Sequence, residues 1–137
     1  MSYGMAVALQ AAVFRRIADD PVVSSLIGDA IYDALPTGTL PGTYVSLGPE
    51  DVRDRSDGSG AGAEHRFRIL VVTDAAGFAE AKTVAAVISD ALVGADLTLD
   101  RGRLVGIWFE RAVAQRDGKA GRVRRIDLSF RARVEDN

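Results

Sequence analysis

The chain has no cysteine among its 137 residues. That excludes disulfide bonds, thiolate catalysis and cysteine metal sites together. Histidine is almost as scarce, with His65 alone, between Glu64 and Arg66. A general base needs a partner and a pocket, and no second member is in view. The expectation is an exposed histidine at a strand edge. Ser24-Ser25 and the other serines therefore lack an activating histidine. Lysine is confined to Lys82 and Lys119, so the basic side is almost all arginine. Arginine makes planar, bidentate contacts and loses less entropy per bond, which suits protein interfaces; a GC-rich genome produces the same bias. Long hydrophobic runs are missing too. Ala6 to Phe14 is apolar but far too short to span a bilayer, has no basic residue before it and is followed by Arg15-Arg16. The expectation is a protein made and used without crossing a membrane by the general route.

What is present reads as a soluble globular domain: 47% apolar, 26% charged, net charge −2. A single domain over residues 1–137 is expected. The last third, Arg103 to Val134, reads as a hairpin. Its first strand is Leu104 to Val113, its turn Asp117 to Gly121 and its second strand Val123 to Val134. Ile126, Leu128, Phe130, Ala132 and Val134 alternate with Arg125, Asp127, Ser129, Arg131 and Arg133. A period of two with one oily and one charged face marks a half-buried antiparallel strand.

Upstream, Met5, Leu9, Val13 and Ile17 give Gly4 to Ala18 one apolar helical stripe. Asp20 is a good N-cap, Pro21 fits the first turn and Gly28 is a stop, so a shorter helix follows. Ile31-Tyr32 is a short extended piece among turns. Thr43 to Leu47 and His65 to Thr73 read as the first two sheet strands. Asp74 is a candidate N-cap for a helix with Phe78, Ala81, Ala85, Ile88 and Leu92 on one side. Leu97 and Leu99 bracket another short extended piece. Between the first two strands, Gly48 to Glu64 is glycine-rich, net −3 and poor in large apolar residues, which predicts a long mobile loop. The predicted fold is α+β: a four-stranded, mainly antiparallel sheet with two main helices packed on one face.

Two weak motifs dissolve on inspection. Asp51, Asp54 and Asp57 are spaced by three, unlike an EF-hand loop. Gly58 to Gly62 has neither a following helix start nor a Lys-Ser/Thr, so it reads as linker. The constellation above background is the arginine face: Arg111, Arg116, Arg122, Arg124, Arg125, Arg131 and Arg133, with Lys119. Nucleic-acid binding would want interleaved aromatics and a basic balance; Phe109 and Phe130 are expected to face the core and Trp108 stands alone. A solvated edge is one reading; a subunit interface pairing these arginines with the acids of a neighbour fits better, arginine being enriched at interfaces.

A further series of short motifs runs along the chain: Leu9, Asp20-Pro21-Val22, Gly28-Asp29-Ala30-Ile31-Tyr32-Asp33 leading to Pro36, Leu40-Pro41 and Tyr44-Val45-Ser46-Leu47. It continues with Ala79-Glu80-Ala81-Lys82, Ala91-Leu92, Leu104-Val105, Phe109-Glu110, Arg116-Asp117 and Phe130-Arg131-Ala132-Arg133-Val134. In this order and spacing the chain resembles, over nearly its whole length, the tail-completion or tail-terminator proteins of long-tailed phages and gene transfer agents. The likeness is strongest to the alphaproteobacterial gene transfer agents. The resemblance implies a structural protein without catalytic residues, cofactor or metal. It implies a homohexameric ring at the head-proximal end of a phage-like tail, made in the bacterial cytoplasm. Such a ring caps the tail tube, ends its polymerisation and joins it to the head-side connector. The implied partners are further copies of the chain, the tail tube protein, a connector or stopper protein and DNA threading the lumen without sequence-specific binding, with no membrane. The motifs are structural, so no site residues carry over. The alternatives are another neck or head–tail joining ring protein, a stopper or adaptor, and a small nucleic-acid-binding module.

The ring assigns roles to the charged groups as expectations. Arg111, Arg125, Arg131 and Arg133 are candidate subunit-interface residues, with acids such as Asp19, Asp29 or Asp33 near the opposing patch. Glu50, Asp51, Asp54 and Asp57 are candidates for a loop facing the lumen or an axial partner, where negative charge repels DNA phosphates.

Overall fold

The computed structural model describes residues 3–58 and 60–136, and of Lys119 the backbone alone. Ser59 of the glycine run and the Lys119 side chain of the arginine face thus lie outside the described residues. Helices α1 (Ala6–Ala18) and α2 (Pro21–Ile27) precede strands β1 (Ile31–Tyr32), β2 (Thr43–Asp54) and β3 (Gly62–Thr73). Helix α3 (Ala79–Leu92) and the hairpin of β4 (Arg103–Asp117) and β5 (Val123–Glu135) follow. The sheet order is β1-β2-β3-β5-β4, with β1 parallel to β2 and every other pair antiparallel.

Over the described residues this is α+β with five strands and three α-helices, where four strands and two main helices were expected. The extra strand is the short piece at Ile31-Tyr32. The carbonyl of Ala30 accepts from the Val45 amide at 2.9 Å, which recruits that piece to the sheet, and its parallel direction makes the sheet mixed.

The helical stripes behave as their spacing requires. Met5, Leu9, Val13 and Ile17 are all buried, as are Ala81, Ala85, Ile88 and Leu92 of α3. The Asp20 carboxylate accepts from the amides of Val22 (2.9 Å) and Val23 (3.1 Å), with Pro21 at the first turn. Replacing Asp20 by alanine should cost about 1 kcal/mol, read as a lower urea midpoint at unchanged slope. Asp74 is not the cap of α3, which starts later with Phe78 at its N-cap. The Asp74 amide instead donates to Gly42 at 2.9 Å and closes the open end of the β2–β3 pair. Leu97 and Leu99 form no strand.

The largest departure is at Gly48 to Glu64, which is not a long mobile loop. β2 continues to Asp54 and β3 begins at Gly62, paired from Glu50↔Phe67 to Asp54↔Ala63. The stretch is polar because much of this hairpin faces away from the helices. A bulge between Leu47 and Glu50 also breaks the alternation. Deleting Asp51 to Gly60 would therefore remove strand, not linker.

All three helices lie on one sheet face. There β3 offers Ala63, His65, Phe67, Ile69, Val71 and Thr73 opposite Val134, Ala132, Phe130, Leu128, Ile126 and Arg124 of β5. His65 is thus fully buried, not exposed at an edge: register, not local polarity, decides its side. The chain enters β4 through Gly102, at φ +75°. A β-carbon there would lie 2.6 Å from both the Glu135 carbonyl and the Met5 sulfur, so only glycine fits. No helix among the described residues is long and apolar enough to cross a membrane.

Candidate functional site

The second sheet face carries no helix. Strand alternation places Arg125, Asp127, Ser129, Arg131 and Arg133 of β5 there, with Trp108, Arg111 and Val113 opposite them on β4 and Glu64, Arg66 and Arg68 on β3. The four expected interface arginines, Arg111, Arg125, Arg131 and Arg133, therefore do share this face. Arg116 and Arg124 do not: Arg124 sits on the helix side, donating to the Ala75 carbonyl at 3.0 Å with its guanidinium 5.5 Å from the Phe78 ring centre. Arg122 lies in the hairpin turn.

Most of this positive charge is answered within the subunit. Glu64, only 6% exposed, lies 3.4 Å from Arg131, 3.5 Å from Arg55 and 3.6 Å from Arg66. Glu110, displaced at a bulge of β4, reaches Arg66 at 3.7 Å and Arg131 at 3.8 Å. The Arg131 guanidinium also lies 4.4 Å above the Trp108 ring, an attraction worth about 0.5–1 kcal/mol at a half-open site. Trp108 thus has a partner. Arg125 is held by Asp127 (2.7 Å) and Asp117 (2.8 Å), and Arg133 donates to the Arg55 carbonyl at 2.7 Å. Arg68 and Arg111 differ. They flank Ser129 from the two neighbouring strands, and neither has a side-chain partner among the described residues. A groove of about 560 Å³ opens between them, with Asp51 and Glu110 on its walls.

The four acids of the other expected group line the outer strand and tip of the β2–β3 hairpin. Glu50 turns to the helix side, where its carboxylate lies 3.1 Å from Nδ1 of His65. That hydrogen bond requires the proton on Nδ1. Nε2 is buried without a partner among the described residues, so this imidazole faces packing rather than a substrate. Asp51 faces the open side, 3.7 Å from Arg53. Asp54 accepts from the Ser56 hydroxyl (2.6 Å) and amide (3.1 Å). The Ser56 hydroxyl bond, foremost, holds its carboxyl below the ordinary value. The turn gains from this at neutral pH and loses it as pH falls through the depressed pKa. Asp57 accepts from the Gly60 amide at 3.1 Å. Asp51 faces away from the side of Asp54, so the three aspartates do not converge as cation ligands would.

Of the opposing acids, Asp19 and Asp33 lie on the helix side. Asp19 borders a polar cleft of about 570 Å³ shared with Arg15, Arg16, Asp96 and Asp100. Asp33 accepts from the Gln10 amide at 3.1 Å.

Such a surface, most of its charge fixed in ion pairs and Arg68 and Arg111 left open, suits contact with other proteins. The family model described as tail completion protein gp17 matches residues 11–135. This chain belongs to that family. A tail-completion protein is a structural part of a virion tail and not an enzyme. The chain is also similar to one in a solved structure of the virion of a native gene transfer agent particle. The two share 64% sequence identity, with a TM-score of 0.92 over 98% of this chain and 99% of that one. A search of curated proteins gave no match.

Two features of this tail-completion protein escaped the sequence. One is Glu64 as an arginine hub: it alternates with Arg66 and Arg68, but the polar stretch that it ends reads locally as a loop. The other is the exposure of Phe109, which shares the core face with Phe130 yet is 45% exposed, because β4 is the edge strand and Phe109 lines an open groove beside α3.

Proposed function

We propose that six copies of this chain close into a ring at the head-proximal end of a gene transfer agent tail. The ring caps the tube, ends its polymerisation and joins it to the head-side connector, with DNA passing through the centre. The observation that carries this reading is the likeness, along nearly the full length of both chains, to a component of a native gene transfer agent virion, together with the tail-completion family. Closure by rotation needs two different patches per subunit. The face bearing Arg111, Arg125, Arg131 and Arg133 supplies one, with Arg111 free for a neighbour, Arg125 and Arg131 held by acids of their own chain and Arg133 by the Arg55 carbonyl. The tip of the β2–β3 hairpin beyond Asp54, with Asp57 on it, faces the lumen or an axial partner, where its negative charge keeps phosphates from sticking.

Electron microscopy of particles lacking this chain tests the proposal. Overlong or headless tails are the expected result. Normal tails below heads that leak DNA would overturn it in favour of a stopper or another neck ring.

A further inference from the structure

The sheet ends in two strands whose outer edges are only partly covered. On one side, β1 pairs with Val45 and Ser46 of β2 and no further. On the other, the Gly94 amide donates to the Ile107 carbonyl of β4 at 3.2 Å. Beyond that point no backbone bond among the described residues reaches the outer edge of β4. Bulges mark where each free run begins. One lies between Leu47 and Glu50, and another between Phe109 and Arg111. What remains is Glu50–Asp54 on β2 and Arg111–Arg116 on β4, two regular runs of similar length with half their backbone groups aimed at solvent.

We infer that these two edges meet between neighbouring copies, Arg111–Arg116 of one lying antiparallel to Glu50–Asp54 of the next, so that one sheet continues across the seam. The inference rests on the head-to-tail ring proposed above and specifies its contact. Strand direction supports it. β2, β3, β5 and β4 alternate in direction, so β2 and β4 run opposite ways and a rotated copy presents β2 to β4 in the antiparallel sense. Charge supports it as well. From Glu50 to Asp57 the sequence is net −2, and from Glu110 to Arg122 it is net +2. Each edge is thus guarded against its own kind and matched to the other. Shape agrees: between α3 and β4 lies a mainly apolar groove of about 420 Å³, lined by Ala85, Ala86, Phe109, Ala112 and Ala114. Those small side chains leave room for the helix-side residues of an arriving strand, Val52 among them. Asp19 and Asp33 are poorer complements, since Asp19 shares its cleft with Arg15 and Arg16 and Asp33 already holds Gln10.

Because the chain has no cysteine, introduced pairs report without background. Asp51 and the residues Arg111, Val113 and Gln115 all lie on the open face, and facing cysteines on adjacent strands are within disulfide reach. Particles would be built with Asp51→Cys combined in turn with Arg111→Cys, Val113→Cys or Gln115→Cys, then oxidised and run without reductant. At least one pair should give a ladder of linked species up to the hexamer, and no single variant should. In unsubstituted particles, amide exchange across both runs should slow at least tenfold relative to the dispersed chain. Dimers from Val113→Cys alone would mean two-fold pairing of β4 and overturn the inference. So would rings visible at the tail end with no ladder and no protection, which would leave the ring itself standing. Tails that end without any ring would overturn both.

Discussion

Truncating Phe130 to alanine should cost about 3–5 kcal/mol of folding stability, the usual range for a large aromatic removed from a packed interior. Phe130 is fully buried on β5, between β3 and β4. Its ring lies 5.6 Å from that of Phe67 in a stacked arrangement and 6.0 Å from that of Phe109, edge on. Neighbours on two strands and on the helices hold the cavity open, because none of them can collapse alone. Domains of this kind have about 5–15 kcal/mol in total, so the variant should sit near the limit of folding. Phe109→Ala should lose only about 1 kcal/mol, since nearly half of that side chain is already in water. Urea denaturation of the two variants checks the contrast. Equal losses would mean that β4 is no less buried than β5.

Reversing charge at Arg131 is expected to damage the fold, whereas reversal at Arg111 is not. Arg131→Glu would remove one of the three arginines around nearly buried Glu64, lose the stacking on Trp108 and place a third carboxylate beside Glu64 and Glu110. Breaking a buried pair costs about 3–5 kcal/mol. The Arg131 side chain is 35% exposed, so solvent screening lowers the expectation to about 2 kcal/mol. Arg111→Glu removes no contact within the subunit and should stay within about 0.5 kcal/mol of the natural chain. In particles the order inverts: Arg111→Glu, folded but carrying the wrong sign at the seam, should be incorporated poorly. Thermal unfolding and particle incorporation, measured on both variants, separate the two roles. A stable Arg131→Glu protein would show that the Glu64 hub contributes little. A double reversal at Arg131 and Arg133 is the poorer assay for an interface, because its first effect falls on the subunit itself.

Local chemistry made much of this legible. The Asp20-Pro21 helix start, the stripes of α1 and α3 and the alternation of β5 all depend on residues within a few positions of one another, and all appear in the structure. Long-range pairing was not legible. β2 and β3 extend through a polar stretch because each supplies the other's backbone partners, which no local count of charge reveals. His65 lies inside for the same reason: pairing with Ala132 fixes its face, whatever its flanking charges suggest.

By itself the sequence determined the class of fold, the hairpin with one oily and one arginine face, and membership of a tail-completion family. It also determined the poverty in cysteine and histidine that leaves little chemistry to perform. Only the tertiary structure decided which arginines are occupied. Glu64 and Arg131 are 67 positions apart, and strand register alone brings them together. Once it does, a run of seemingly equivalent arginines divides into those that brace the subunit and those left free to meet another.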